Sequence, residues 1–243
     1  MITWKEYFEI SKYQNMSESL QRQGLSQPPL EMPYAAATIL IDLPDPHGIV
    51  LPKMDFVELL EKRESLRAYS DESLSVQEFS FLLWATQGVK EVNEKFTKRT
   101  VPSAGARHPF ETYILVNNVE ELKSGLYRYL ALEHKLIMVN DSVDISQKVT
   151  EGCKMQKHVQ NSALTFCWVA DFQRMYWRYS ERSLRYVMLD AGHVCQNLYL
   201  AAEAIQCGVC AIAAYDDDLM NAVLDLDGEA QFTAYIATLG RRA

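Results

Sequence analysis

The strongest pattern in the chain is helical. Between Arg182 and Gln206, the residues Leu184, Val187, Met188, Ala191, Cys195, Leu198, Ala202 and Ile205 recur at steps of three or four. That is the apolar stripe of an amphipathic helix. Gly208 stands where its stop is expected. Tyr186, Tyr199, Leu200 and Ala201 fall outside the stripe, so the helix should be buried on more than one side, as in a dimer core. Phe56, Leu59 and Leu60 predict a shorter helix over 54–62. Ser75-Val76-Gln77-Glu78 is a capping box that opens a third helix, which runs through Phe79, Leu82 and Leu83 to Gly88.

Strand patterns cover Thr112–Val116, Gly125–Leu130 and His134–Val139, the last as the return arm of a hairpin. Ala163–Ala170 reads as a buried strand, and Val209–Ala213 and Phe232–Leu239 complete the set. Lys90–Arg99 is polar and charged, which predicts a surface loop. Helices and strands alternate without a strict βαβ repeat. The pattern predicts an α+β domain, with a central mixed, mainly antiparallel sheet flanked by helices.

Six of the eight prolines lie between Pro28 and Pro52. This stretch cannot be regular helix. It carries Ile39-Leu40-Ile41 and Ile49-Val50-Leu51, too apolar for a free linker. An extended arm laid over its own domain or over a partner subunit is expected. The chain then divides into an N-terminal helix and arm, 1–52, and a main domain, 53–243.

Composition narrows the function. With 48% hydrophobic and 23% charged residues in 243, a disordered chain is excluded. A net charge of -8 gives no general attraction to nucleic acid or an anionic membrane. The longest apolar stretch, Ala163–Ala170, is far short of the ~20 residues of a membrane span. No secretory signal pattern opens the sequence, and the five cysteines are expected to be reduced thiols in the cytoplasm.

Five segments are candidates for chemistry. Arg63-x-Ser65-x-Arg67 sets two guanidiniums four residues apart with a hydroxyl between them, a geometry that suits a phosphate. A solvated helix end is the plainer explanation. Arg99-Thr100-Val101-Pro102-Ser103-Ala104-Gly105-Ala106-Arg107-His108-Pro109 puts small residues between prolines, so its backbone can approach a flat ligand closely. At the other end of the chain, an apolar strand finishes in Leu239-Gly240-Arg241-Arg242, whose arginines could add phosphate contacts. Cys207-Gly208-Val209-Cys210 closes a helix instead of opening one and has no second CxxC, so packing cysteines and no metal site are expected. Within the long helix, His193 reads as a core histidine and Gly192 as a point of close backbone packing. Serine-nucleophile and glycine-rich phosphate-loop motifs are absent.

In order along the chain, the proline-rich approach, Arg63-x-Ser65-x-Arg67 with Tyr69, Phe81–Gly88, Arg99-Thr100 into Pro102–Ala106, Asp190-Ala191-Gly192-His193 through Asn197, and the Gly240-Arg241-Arg242 ending resemble the FMN-dependent nitroreductase superfamily. Within it they are similar to the SagB-type dehydrogenases of thiazole/oxazole peptide biosynthesis. The resemblance implies a homodimer with FMN at the subunit interface. It places Arg63, Ser65 and Arg67 on the phosphate and ribityl chain, with Arg241 or Arg242 adding a contact. Pro102, Ser103, Ala104 and Gly105 would reach the flavin from the other subunit, and Ala213 and Ala214 would lie beside the ring. Position 64 is Glu, which makes the phosphate pocket less cationic than in many relatives.

The implied activity is hydride transfer through flavin N5 between NAD(P)H and a small organic or peptide-derived substrate. Tyr176, Tyr179, Tyr215 and His108 are candidates for a base, and none is singled out. The azoline-oxidising enzymes use a catalytic Lys-Tyr pair; no Lys-Tyr dipeptide is expected in this chain, which speaks against peptide azoline oxidation and leaves the broader reductase chemistry open. Two alternatives stand beside this expectation: a catalytically idle homologue that scaffolds a partner, and a flavin-fragmenting enzyme in which Lys90–Arg99 forms part of a lid.

Overall fold

The structure is a computed structural model that describes residues 3–243; the first two residues of the expected N-terminal segment lie outside it. Seven strands form one sheet in the order β1-β6-β5-β4-β7-β9-β8. They are β1 (Leu40–Asp42), β4 (Phe110–Val116), β5 (Gly125–Leu130), β6 (Lys135–Asn140), β7 (Leu164–Asp171), β8 (Cys207–Ile212) and β9 (Gln231–Arg241). Every neighbouring pair is antiparallel. A parallel bridge between Ser65 and Val209 extends the β8 edge.

Two-residue periodicity builds two cores. From β7, Leu164, Phe166, Trp168 and Ala170 join the larger core, while Cys167 and Val169 join the smaller one on the other face. The larger core is covered by α3 (Val76–Gln87) and α6 (Ser183–Ala204). The smaller is covered by α4 (Ile145–Gly152) and α7 (Asp217–Val223). The Ser75–Glu78 capping box forms as its sequence predicts, with Glu78 N–H donating to Ser75 Oγ at 3.2 Å. Ser75→Ala is expected to cost about 1 kcal/mol, read as a shift in the unfolding midpoint.

Several expectations are corrected. The charged stretch at 90–99 is not a loop: β2 (Val89–Val92) and β3 (Thr97–Arg99) pair as a separate hairpin. Asn93 closes its turn by accepting the Lys95 and Phe96 N–H groups. The long helix ends at Ala204, before Gly208, because Gln206 adopts the left-handed turn at φ 60°. Gly208 already belongs to β8. A separate helix, α5 (Phe172–Tyr179), precedes α6. Met188 and Leu189 are exposed on α6, as are Gly192 and His193, and among the described residues nothing packs where a Gly192 Cβ would stand. His193 is therefore not a core residue of this chain, and Gly192 is not a point of close packing within it.

The proline-rich arm lies on its own domain. After α1 (Trp4–Ile10) it runs across the sheet edge, where β1 pairs with β6. It then supplies carbonyls to buried donors: Pro29 O accepts from Arg174 Nε at 2.9 Å, Met32 O from Arg128, and Pro44 O from Ser80 Oγ at 2.6 Å. Arg174 is also the centre of a buried ion pair with Glu111, which in turn accepts the Met32 N–H.

Candidate functional site

The arginine motif begins where α2 (Phe56–Lys62) ends, with Arg63 as the C-cap. The chain then runs extended along β8, and Leu66 N–H donates to Val209 O at 2.9 Å. Tyr69 fixes the turn behind it: its hydroxyl donates to Leu66 O at 2.7 Å and lies 2.8 Å from Thr238 Oγ1. This geometry presents Ser65 and Arg67 to solvent. Tyr199 of α6 organises the inner side. Its ring carries the Arg63 guanidinium at 5.4 Å, and its hydroxyl lies 3.2 Å from Ser65 Oγ and accepts the Ala211 N–H at 2.9 Å. Neither Arg63 nor Arg67 has a carboxylate partner among the described residues.

Ala213 and Ala214 follow β8 and are exposed. Behind them Gln156 Nε2 donates to Ala214 O at 2.9 Å, and Lys154 pairs with Asp216 at 2.9 Å. His158, in the same segment, is buried with Nε2 unpartnered; burial and then the Arg67 charge hold its imidazole below the ordinary value. Tyr199, Gln156 and His158 carry no sequence motif that would have singled them out.

The C-terminal arginines reach the motif but are already matched. Arg242 pairs with Glu203 and Glu64, both at 2.7 Å, and Arg241 pairs with Glu78 at 2.6 Å. Carboxylates from three segments therefore account for this pair without a bound anion.

The Pro102–Gly105 loop is elsewhere. Ala104 N–H donates to Asp190 Oδ1 on α6 at 3.2 Å, and Ser103 Oγ accepts the His108 N–H at 2.9 Å. Burial pushes the Asp190 carboxyl up, and its Oδ2 has no partner. Asp190 and Tyr199 are nine residues apart on one helix, which separates the two clusters by about 13–14 Å along its axis. Gly105 is left-handed at φ 58°, and a Cβ there would collide with Tyr179 Oη. Gly105→Ala should cost about 1–3 kcal/mol, measured by denaturant unfolding.

Two expected loop residues turn inward. Arg99 is buried, donating to Gln87 Oε1 at 2.9 Å and Thr97 Oγ1 at 3.1 Å. His108 is buried as well; desolvation and the charges of Arg99, Arg107 and Arg174 push its imidazole down to about 3. So weak a base, closed from solvent, is poorly placed to take a proton at neutral pH. Tyr215 also falls away: its hydroxyl donates to Thr233 O at 2.9 Å, and burial pushes it up to about 12. A Lys-Tyr dipeptide does occur, as Lys12-Tyr13 in the turn after α1; Tyr13 lines a cleft with Arg178 and Tyr179, and Lys12 pairs with Glu9.

His108 makes a pH prediction. Its folded pKa lies below the value near 6.5 of an unfolded chain, so the unfolded state binds more protons in the window between them. Stability contributed above pH 6.5 is lost as pH falls, at about 1.4 kcal/mol per unit. His134, also held low by burial, acts with the same sign. Only the difference between the wild type and His108→Gln isolates His108. Denaturant unfolding at pH 7 and pH 5 should show a shallower slope for the variant; equal slopes would refute the assignment.

The CxxC cysteines are buried and unpaired, as their position at a helix end suggests. Three steps along β8 put Cys207 and Cys210 on opposite faces, and burial pushes Cys207 up to about 12. Among the described residues no His, Cys, Asp and Glu side chains group as a metal site, and no helix is long and apolar enough to cross a membrane.

The family model of the nitroreductases matches residues 60–241, and the chain belongs to the nitroreductase family of oxidoreductases. It is 30% identical over 205 residues to MJ1384 of Methanocaldococcus jannaschii, whose name assigns it provisionally to the nitroreductases; the match covers 84% of this chain and 98% of that one. It is also similar to two peptide-processing proteins. TfxB, the trifolitoxin-processing protein of Rhizobium leguminosarum, is 27% identical over 57% of this chain and 39% of its own length. McbC, the microcin B17-processing protein of Escherichia coli, is 26% identical over 54% of this chain and 49% of its own.

Among solved structures, one chain of the E. coli microcin synthetase McbBCD complex with truncated pro-MccB17 aligns with a TM-score of 0.62 at 17% identity, over 100% of this chain and 98% of that chain. A nitroreductase-fold protein of Desulfovibrio desulfuricans, in complex with FMN, aligns at 0.55 and 17%, over 79% and 88%. At these identities the likeness is one of fold.

Proposed function

We propose that the chain is an FMN-dependent oxidoreductase that works as a homodimer, taking electrons from NAD(P)H to a small organic or peptide-derived substrate. The observation that carries this reading is the separation of the two clusters along α6. One chain presents Arg63, Ser65, Arg67 and the Ala213–Ala214 turn at one end, and Pro102–Gly105 at the other. A second copy packed on the exposed Met188, Leu189 and Gly192 face of α6 would bring the loop of one chain to the arginines of its partner. The fit to the cofactor is chemical: two arginines without carboxylate partners flank a serine hydroxyl, beside an exposed turn of two alanines that can accept a flat ring. Bound FMN would supply hydride chemistry at N5.

The chain's own residues bind and orient. Arg63 and Arg67 would pair with phosphate oxygens, Ser65 would donate to one of them, and Tyr199 holds Arg63 and Ser65 in register. Gln156 fixes the carbonyl of Ala214 and so the turn beside the ring. Arg241 and Arg242, held by Glu78, Glu203 and Glu64, would close the end of the pocket and leave the phosphate to the motif. In this reading the peptide-processing relatives point to a peptide-derived substrate, while MJ1384, matched over nearly its whole length, leaves a small organic one open.

The test is the visible spectrum of the native protein, the identity of what heat releases, and the mass in solution. A flavin spectrum, FMN released at about one per chain and a dimer mass support the proposal. A colourless protein that takes up no added FMN would leave the scaffold alternative, which the carboxylate-bound C-terminal arginines favour.

A further inference from the structure

A cleft of about 720 Å³ opens on the side of the Pro102–Gly105 loop, with Lys95, Phe96, Gly105, Arg107, Trp177 and Arg178 in its wall. Gly105 brings the two arginines together. Its carbonyl accepts from Arg107 Nε at 3.2 Å, and the Arg178 Nε sits 3.0 Å from where a Gly105 Cβ would be. The Arg107 guanidinium is oriented by Lys95 O at 2.7 Å and stacks over Trp177 at 5.5 Å. Burial and then the Arg178 charge hold Arg107 below its ordinary value, as two adjacent cations without an anion between them require. Among the described residues Lys95, Arg107 and Arg178 have no carboxylate partner. Lys98, at the rim, is paired with Glu91, and Glu94 is the acidic residue of the wall.

Two adjacent arginines without a carboxylate partner, in a cleft whose wall also carries Lys95, are unexpected in a chain of net charge -8. Every like-charge contact here costs free energy, which a polyanion would relieve. We propose that this cleft is a second anion site, which takes the phosphates of a nucleotide. The guanidiniums of Arg107 and Arg178 suit paired phosphate oxygens, and Lys95 adds a point charge. Phe96, half-buried at the edge with the Lys98 ammonium 6.0 Å from its ring centroid, is the wall's aromatic partner for a base beside the cations. The volume is that of a nucleotide-sized ligand pocket. The inference rests on the flavin reading only for what the nucleotide does there: a cleft walled by Gly105 would hold the phosphates of an NADPH-type donor beside the loop that approaches the partner's flavin.

The test is calorimetric titration of the purified protein, as isolated and after FMN addition, with 2′,5′-ADP, 5′-AMP and inorganic pyrophosphate. Binding of 2′,5′-ADP is expected with or without flavin, so a protein that takes no FMN can still support or refute this site. Affinity should fall about tenfold or more in Lys95→Gln/Arg178→Gln, and also on raising salt from 50 to 500 mM. Both side chains are exposed and make no hydrogen bond, so the variant should keep the wild-type melting temperature. Lys98→Gln should change affinity by less than about twofold, because its charge is already matched. No binding up to millimolar 2′,5′-ADP, or equal binding to the double variant, would overturn the site. Pyrophosphate binding as tightly as 2′,5′-ADP would overturn the nucleotide.

Discussion

Arg174→Ala should destabilise the fold by about 3–5 kcal/mol, the largest single effect expected here. Arg174 is 2% exposed and its partner Glu111 equally so. Its guanidinium also donates to Pro29 O at 2.9 Å and His108 O at 3.4 Å, and it faces Asp171 at 3.2 Å. Removing it strands the Glu111 carboxylate in the interior and leaves two carbonyls without a donor, so the penalty is desolvation rather than the lost attraction alone. At about 2–4 °C per kcal/mol for a chain of this size, the melting temperature should drop by roughly 6–20 °C. Lys154→Ala is the control. Its exposed pair with Asp216 should be worth no more than about 1 kcal/mol. Equal drops in the two variants would show that the buried pair does not hold the arm.

Arg63→Ala/Arg67→Ala should weaken FMN binding by about 100-fold or more. Two charge-assisted contacts at about 1.5–3 kcal/mol each set that scale. Among the described residues neither side chain forms an ion pair, so the variant should melt close to the wild type when both lack flavin. Arg242→Ala makes the contrast. Its guanidinium is committed to Glu203 and Glu64, so flavin affinity should change by less than about fivefold. Fluorescence titration of FMN into the three proteins separates the cases. If Arg242→Ala loses as much affinity as the double variant, the carboxylate pairs open on binding and the phosphate grip extends to the chain's last strand.

What could be read from the sequence was what local chemistry controls. Ser75 and Glu78 are three residues apart, and their cap forms as spacing dictates. The strands β5 and β7 are buried along almost their whole length, and their apolar and aromatic runs place them within a residue or so. The hairpin at 89–99 was not legible, because it is an edge element whose residues are mostly exposed and charged, and its signal is the Asn93 turn rather than apolar alternation. The stop of α6 was misplaced by a left-handed Gln206, a conformation that glycine favours but does not own. For the candidate site, the arginine motif and the small-residue loop stood out as sequence. Their separation along α6 did not, nor did the carboxylates that claim Arg241 and Arg242. Glu78 is 163 residues from its arginine, and no local pattern records such a partner.

The arm has a consequence for where this protein can be cut. The family match begins at residue 60, yet Pro29, Met32 and Pro44, all upstream, supply carbonyls to buried groups of the sheet and of α3 and α5. The span of the family model and the cooperative folding unit therefore have different borders. A fragment trimmed to residues 60–241 would leave Arg174, Arg128 and Ser80 each short of an acceptor, so the upstream arm acts as a structural splint that the domain cannot shed without cost.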